Sequence, residues 1–319
     1  MATYKNIKGF GIQYLDSDPA NPNIGEVWYN STTKALKGTT AGGSPSGTWS
    51  SGGNMNTGRE GGTYFGILSA GVAAGGNSST NNEEYNGTSW TAGNVLPASG
   101  GQGAGAGLLG AGIIMNYQPG DTDAATTYDG TNWTEITSTN TGRLAGTGTG
   151  TQTQALSICG APGSSAVELW NGSSWTEKAE PNSPRGQGMA AGISTAALIA
   201  GGVGGSPSTN PRETENYNGT SWTQVNILNS GRGYNVGGGD YTNAITFGGG
   251  PMPGVTAKTE TWNGTTWSEQ ADMASASETS FATKAGAGNA TYRARIPTDS
   301  DGTEEWTTAA TVTKTFTVS

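Results

Sequence analysis

The chain has 319 residues, of which 55 are Gly and only 12% are Asp, Glu, Lys or Arg, and its formal net charge is −9. That acidic balance argues against a broad phosphate-binding surface, and no run of eighteen apolar residues is present to form a membrane-spanning helix. Histidine is absent, which removes imidazole-activated nucleophiles and imidazole-ligated metals, and the single Cys159 leaves neither an intrachain disulfide nor a multi-cysteine zinc site.

In chain order, "MATYKNIKGFGIQYL" has no apolar stretch of the kind a Sec signal needs. Residues 1–24 carry Lys5 and Lys8 among Tyr4, Phe10, Ile12, Tyr14 and Leu15, a scatter that an ordinary edge strand or coil accommodates. "GEVWYNSTTKALKGTTAGGSPSGTWS" then reads as three strands. From there one phrase returns: "EEYNGTSWT" at Glu83, "TTYDGTNWT" at Thr126, "VELWNGSSWT" at Val167, "TENYNGTSWT" at Thr214 and "TETWNGTTWS" at Thr259. The closing Trp90, Trp133, Trp175, Trp222 and Trp267 are spaced by 43, 42, 47 and 45 residues, and Trp49 precedes them in similar context. A period of that length points to a propeller or an array.

Asn-Gly or Asp-Gly between short runs of Thr, Tyr and Trp predicts a two-residue type I′ hairpin at Asn86, Asp129, Asn171, Asn218 and Asn263. Upstream of each, a glycine-rich strand precedes a short apolar one that ends in glycines, as in "GQGMAAGISTAALIAGG". Glycine within strands marks close approach of another backbone, as on the inner strands of a propeller. Cys159, in "ALSICG", reads as a small buried hydrophobe in such a strand. The expectation is an all-β propeller of four-stranded blades. Seven blades are favoured over six, with residues 25–51 and 311–319 completing the closing blade of a propeller spanning 25–319.

Arg59, Arg143, Arg185 and Arg232 each follow a Trp by ten residues, where Gly100 and Ser277 stand in the other periods. Four guanidinium groups at one level suit a carboxylate or sulfate ligand. The alternative is that each pairs with a glutamate of a neighbouring blade, such as Glu84, Glu168, Glu215 or Glu260. "DGTNW" at Asp129 is similar to the Asp-box turn of sialidases, but no catalytic set accompanies it. "GAGLLG" at Gly105 has no helix after it, so its match to a dinucleotide fingerprint is fortuitous. The acidic turns at Asp16 and Asp299 read as turn chemistry rather than calcium loops, and the Asn-X-Ser/Thr triplets as hairpin letters. No cofactor is expected.

The repeat, with Ala197-Leu198-Ile199-Ala200-Gly201-Gly202, then a Tyr, then a Trp, resembles the kelch group of β-propellers, although its Tyr-to-Trp spacing of five is shorter. That group includes copper-radical oxidases, whose histidine ligands are missing here. Trp28, Tyr29, Asn30, Ser31, Thr32, Thr33, Leu36 and Lys37 resemble a hairpin of bacteriophage tail-fibre and other virion proteins. The resemblance implies a non-enzymatic virion protein, assembled in the host cytoplasm and carried on the extracellular particle. It would hold other virion proteins through residues 1–24 as an amino-terminal docking arm, and use loops such as "GGSPSTNP" at Gly204 and "PRETEN" at Pro211 for host attachment or decoration, with neither nucleic acid nor membrane insertion. The alternatives are a glycan-binding lectin, with Trp and Tyr stacked on sugars, and a sialidase-like enzyme.

Overall fold

The computed structural model describes residues 12–18, 27–39, 47–76, 78–117, 123–160, 164–204, 212–250, 254–276, 281–282, 290–294, 301–308 and 313–316. Every regular element among them is a strand, and the chain forms two compact units.

The small unit comprises residues 1–46 and 308–319. Its sheet holds β1 (Gln13–Leu15), β2 (Val27–Asn30), β3 (Ala35–Thr39) and β30 (Thr313–Phe316), in that order. β1 runs parallel to β2, and the other pairs are antiparallel. Asp18 ties the β2–β3 hairpin together, accepting hydrogen bonds from Trp28 Nε1 at 3.0 Å, Asn30 Nδ2 at 2.8 Å and Lys37 Nζ at 2.6 Å. These donors, Lys37 foremost, hold its carboxyl down to about 2.

The large unit spans Gly47–Thr307 and has a propeller-like all-β architecture of successive four-stranded antiparallel sheets. The first holds β5 (Thr63–Ile67), β6 (Ala70–Ala74), β7 (Asn82–Tyr85) and β8 (Trp90–Gly93). The second holds β9 (Ala104–Leu108), β10 (Ala111–Met115), β11 (Ala125–Tyr128) and β12 (Trp133–Ile136). The third holds β13 (Thr147–Thr151), β14 (Gln154–Gly160), β15 (Ser164–Trp170) and β16 (Trp175–Lys178). The fourth holds β18 (Met189–Ile193), β19 (Ala196–Ala200), β21 (Thr214–Tyr217) and β22 (Trp222–Val225), with β17 (Arg185–Gly186) and β20 (Val203–Gly204) as a short extra pair. The fifth holds β23 (Val236–Asp240), β24 (Asn243–Phe247), β25 (Thr259–Trp262) and β26 (Trp267–Glu269). The sixth joins β27 (Phe281–Ala282), β28 (Ala290–Ala294) and β29 (Thr303–Thr308) to β4 (Gly47–Ser51), from the far end of the sequence.

Strand pairing therefore divides the closing segments. The tail strand β30 pairs with β3, as the sequence suggested, but β4 completes the sheet of Trp306 instead of joining β2 and β3. Because this fourth strand arrives from elsewhere, the sixth sheet needs no Asn-Gly hairpin, and "GTEEW" is followed by none.

The five Asn/Asp-Gly turns do join third to fourth strands, but not as type I′ turns. The aromatic and the Trp face each other across the ladder, Tyr85 against Trp90 for example, leaving four loop residues. Only the glycine of each, such as Gly87 at φ 90°, is left-handed. The side chain explains the difference. Asn86 Oδ1 accepts from the backbone N–H groups of Thr88 and Ser89, both at 2.9 Å, so the turn closes without positive φ at the first position. Asp129, Asn171, Asn218 and Asn263 repeat the arrangement.

Apolar cores lie between consecutive sheets. Leu156, Ile158 and Val167 of the third meet Ala190, Ile199, Tyr217 and Trp222 of the fourth, and similar clusters fill the junctions on either side. The first strands are mutual neighbours in cyclic order: β5, β9, β13, β18, β23, β27 and again β5. Glycine permits that approach: a Cβ on Gly105 of β9 would collide with the carbonyl of Tyr64 in β5.

Each closing tryptophan also reaches back by one sheet. Trp90 Nε1 donates to Thr303 Oγ1 at 2.9 Å, Trp267 to Thr214 Oγ1 at 2.9 Å and Trp49 to Thr259 Oγ1 at 2.9 Å. Trp133, Trp175 and Trp222 donate to the carbonyls of Asn94, Thr137 and Ala179 at 3.0, 2.7 and 2.8 Å. Each sheet of the six thus donates one indole bond and receives one.

Candidate functional site

Arg59, Arg143 and Arg232 sit in the loops that lead into β5, β13 and β23, and Arg185 in the short β17 ahead of β18, each within one recurring phrase: Asn56-Thr57-Gly58-Arg59, Asn140-Thr141-Gly142-Arg143, Asn182-Ser183-Pro184-Arg185 and Asn229-Ser230-Gly231-Arg232. All four are buried and paired: Arg59 with Glu83, Arg143 with Glu168 at 2.9 Å, Arg185 with Glu215 and Arg232 with Glu260 at 2.5 Å. The partner lies on the third strand of the same sheet, not of a neighbouring one, and in the first sheet it is Glu83 rather than Glu84.

The loop is built around the carboxylate. Asn229 N–H and Ser230 N–H donate to Glu260 at 2.8 and 3.2 Å, and Asn229 Nδ2 adds a third bond at 2.9 Å. The backbone N–H groups of Asn56 and Thr57 likewise donate to Glu83, those of Asn140 and Thr141 to Glu168, and those of Asn182 and Ser183 to Glu215. Desolvation pulls the Arg185 and Arg232 guanidinium groups below the usual arginine range, and the adjacent glutamates oppose it. A buried charge with its partner and several donors is tolerable, whereas one alone is costly. The second sheet agrees: Gly100 replaces the arginine and Thr126 the glutamate, so both charges are missing together. In the sixth sheet Glu304 remains and accepts the Ala274 N–H at 3.0 Å; Ser277 lies outside the described residues.

A second polar set crosses between sheets. The Tyr85 hydroxyl donates to Glu305 of the sixth sheet, and that of Tyr128 to Glu84 of the first. Glu84 thus has a partner, but a tyrosine. Burial, then these carboxylates, push Tyr85 up to about 12 and raise Tyr128 further.

Two residues beyond each arginine position, the backbone is left-handed: Gly61 (φ 68°), Gln102 (55°), Ala145 (54°), Gln187 (55°) and Tyr234 (57°). Four of these are stitched head to tail across sheets. Gln102 N–H donates to Gly61 O at 2.5 Å, Ala145 N–H to Gln102 O at 3.0 Å and Gln187 N–H to Ala145 O at 2.8 Å. Gln102 is exposed, and Gln187 and Tyr234 are half-buried. Sequence reading missed this set because its letters vary between periods, as Gly, Gln, Ala, Gln and Tyr; its constant offset from the arginine position is the signal that finds it.

Cys159 is buried, as read, and burial pushes its thiol up. It is left-handed at φ 54°, where the first and fourth sheets place Gly75 and Gly201. Asp129 serves its own turn, and Gly105 lies in a strand. Asp16 accepts from Thr32 Oγ1 through its carbonyl, while Asp299 lies outside the described residues. Among the described residues, no group of three or more His, Cys, Asp or Glu is placed to hold a metal ion. "GGSPSTNP" and the start of "PRETEN" connect β19 to β21 within one sheet rather than joining two, and residues 205–211 lie outside those described. Compared with known proteins, the chain matches no family model and no curated protein.

Proposed function

We propose that the large unit is a closed six-bladed propeller latched by β4, and that the chain is a non-enzymatic structural protein displayed on a bacteriophage particle for host attachment or decoration. The cycle of six indole hydrogen bonds supports the ring, since each sheet both donates and receives. The resemblance of Trp28–Lys37 to a virion hairpin carries the particle reading, and the β2–β3 pairing gives those letters hairpin form. The small unit is the part that docks on other virion proteins. Buried ion pairs, indole bonds and inter-sheet tyrosines spend the chain's polar groups on rigidity, which suits a displayed body. Many copies on one particle would raise weak contacts to useful avidity. Antibody-labelled electron microscopy of intact particles from the source is the test. Gold on the particle surface is expected, and particles without the chain would overturn the reading.

A lectin reading has its own observation, the exposed Gln102 and the half-buried Gln187 and Tyr234 at the left-handed positions.

A further inference from the structure

We propose that Gln102, Gln187 and Tyr234 form a binding site for a neutral glycan at one mouth of the ring; this rests on the six-bladed reading above. Each stands two residues before its sheet's first strand, and the first strands are neighbours in cyclic order. The five left-handed positions therefore gather at the rim of the ring's centre, and the hydrogen bonds from Gly61 through Gln102 and Ala145 to Gln187 fix their spacing.

Conformation singles these side chains out. A left-handed backbone suits glycine, and the first sheet has Gly61 there, yet the second, fourth and fifth sheets hold Gln, Gln and Tyr at φ 55–57°. Strain retained at equivalent places, where glycine is tolerated, points to a use for the side chains. Small residues alternate with large ones along the rim: Gly61, Gln102, Ala145, Gln187, with Tyr234 in the next sheet. The Gln102 side chain lies against Gly61, its Cγ 3.4 Å from where a Cβ there would stand.

The chemistry sets the ligand class. Carboxamides donate and accept, and a tyrosine offers an apolar face with a polar tip, which fits hydroxyl-covered sugar rings. Among the described residues, the arginines of the same loops are buried against glutamates, and the chain's charge is −9, so an anionic sugar meets net repulsion.

The test compares the full chain with a Gln102→Gly/Gln187→Gly variant and a Tyr234→Leu variant on immobilised neutral oligosaccharides of glucose, galactose and N-acetylhexosamines, with sialylated chains as controls. The unaltered chain is expected to bind neutral members, and both variants to bind at least about tenfold more weakly. The double glycine variant should nevertheless melt roughly 2 °C or more higher, since strain is relieved. Binding that survives in both variants, no binding of any neutral oligosaccharide by the unaltered chain, or a preference for sialylated chains would each overturn the proposal. The ring is tested apart, by truncation around β4; failed glycan binding in a chain that passes that test counts against the mouth alone.

Discussion

The buried arginine–glutamate pairs are the clearest case of a residue's role set by its surroundings. With Glu168 held by Arg143 and by the Asn140 and Thr141 amides, Arg143→Ala leaves a buried carboxylate uncompensated and should cost about 3–5 kcal/mol in denaturant unfolding. Adding Glu168→Thr, the residue of the second sheet, should cost less than the sum of the single changes by about 1 kcal/mol or more. Strict additivity would mean that the pair is not coupled. Trp222, 7% exposed and packed across the third and fourth sheets, should cost about 3–5 kcal/mol on truncation to Ala. Tyrosines give the pH dependence. Tyr85 is raised to about 12, and Tyr64, Tyr128 and Tyr217 are raised too, each by burial first. A raised folded value means stability present below the ordinary tyrosine value near 10 and lost above it. Urea midpoints should therefore hold up to about pH 10 and fall towards pH 12, in step with tyrosinate absorbance.

Single elements work by local satisfaction of polar groups. In the hairpin turns the Asn carboxamide oxygen does the capping, so Asn218→Asp should be nearly neutral, as Asp129 already shows, whereas Asn218→Ala should cost about 1 kcal/mol. Gly219→Ala, at φ 89°, should cost about 1 kcal/mol, and thermal melts of these Asn218 and Gly219 variants are the measurement. The β2–β3 hairpin depends on ionised Asp18. Its lowered value means that stability is complete above about pH 4 and declines as pH falls towards 2. Amide exchange across residues 27–39 should quicken over that window and should not in Asp18→Asn, which lacks the titrating group.

At the scale of the molecule, the sixth sheet decides the architecture. Its fourth strand, β4, begins at Gly47, and the indole of Trp49 reaches Thr259 of the fifth sheet. A chain of residues 47–308 keeps all six sheets and should unfold in one cooperative transition. A chain starting at residue 52 lacks β4, exposes the edge of β29 and should aggregate or melt at least about 5 °C lower. Equal stability of the two would remove the latch.

All-β character, the period near 43 residues and the hairpin positions were legible in the letters, because Asn-Gly turns and alternating aromatics act over a few residues. The partner of each arginine was half legible: glutamates recur on third strands, but only register shows that Arg59 meets Glu83 while the adjacent Glu84 meets Tyr128 of the next sheet. The turn type was misjudged because a side-chain oxygen replaced backbone strain. Where β4 and β30 go, and that five residues of four types share one left-handed position, depends on contacts between segments more than two hundred residues apart or on backbone angles. Local spacing carries neither, so packing alone assigns them.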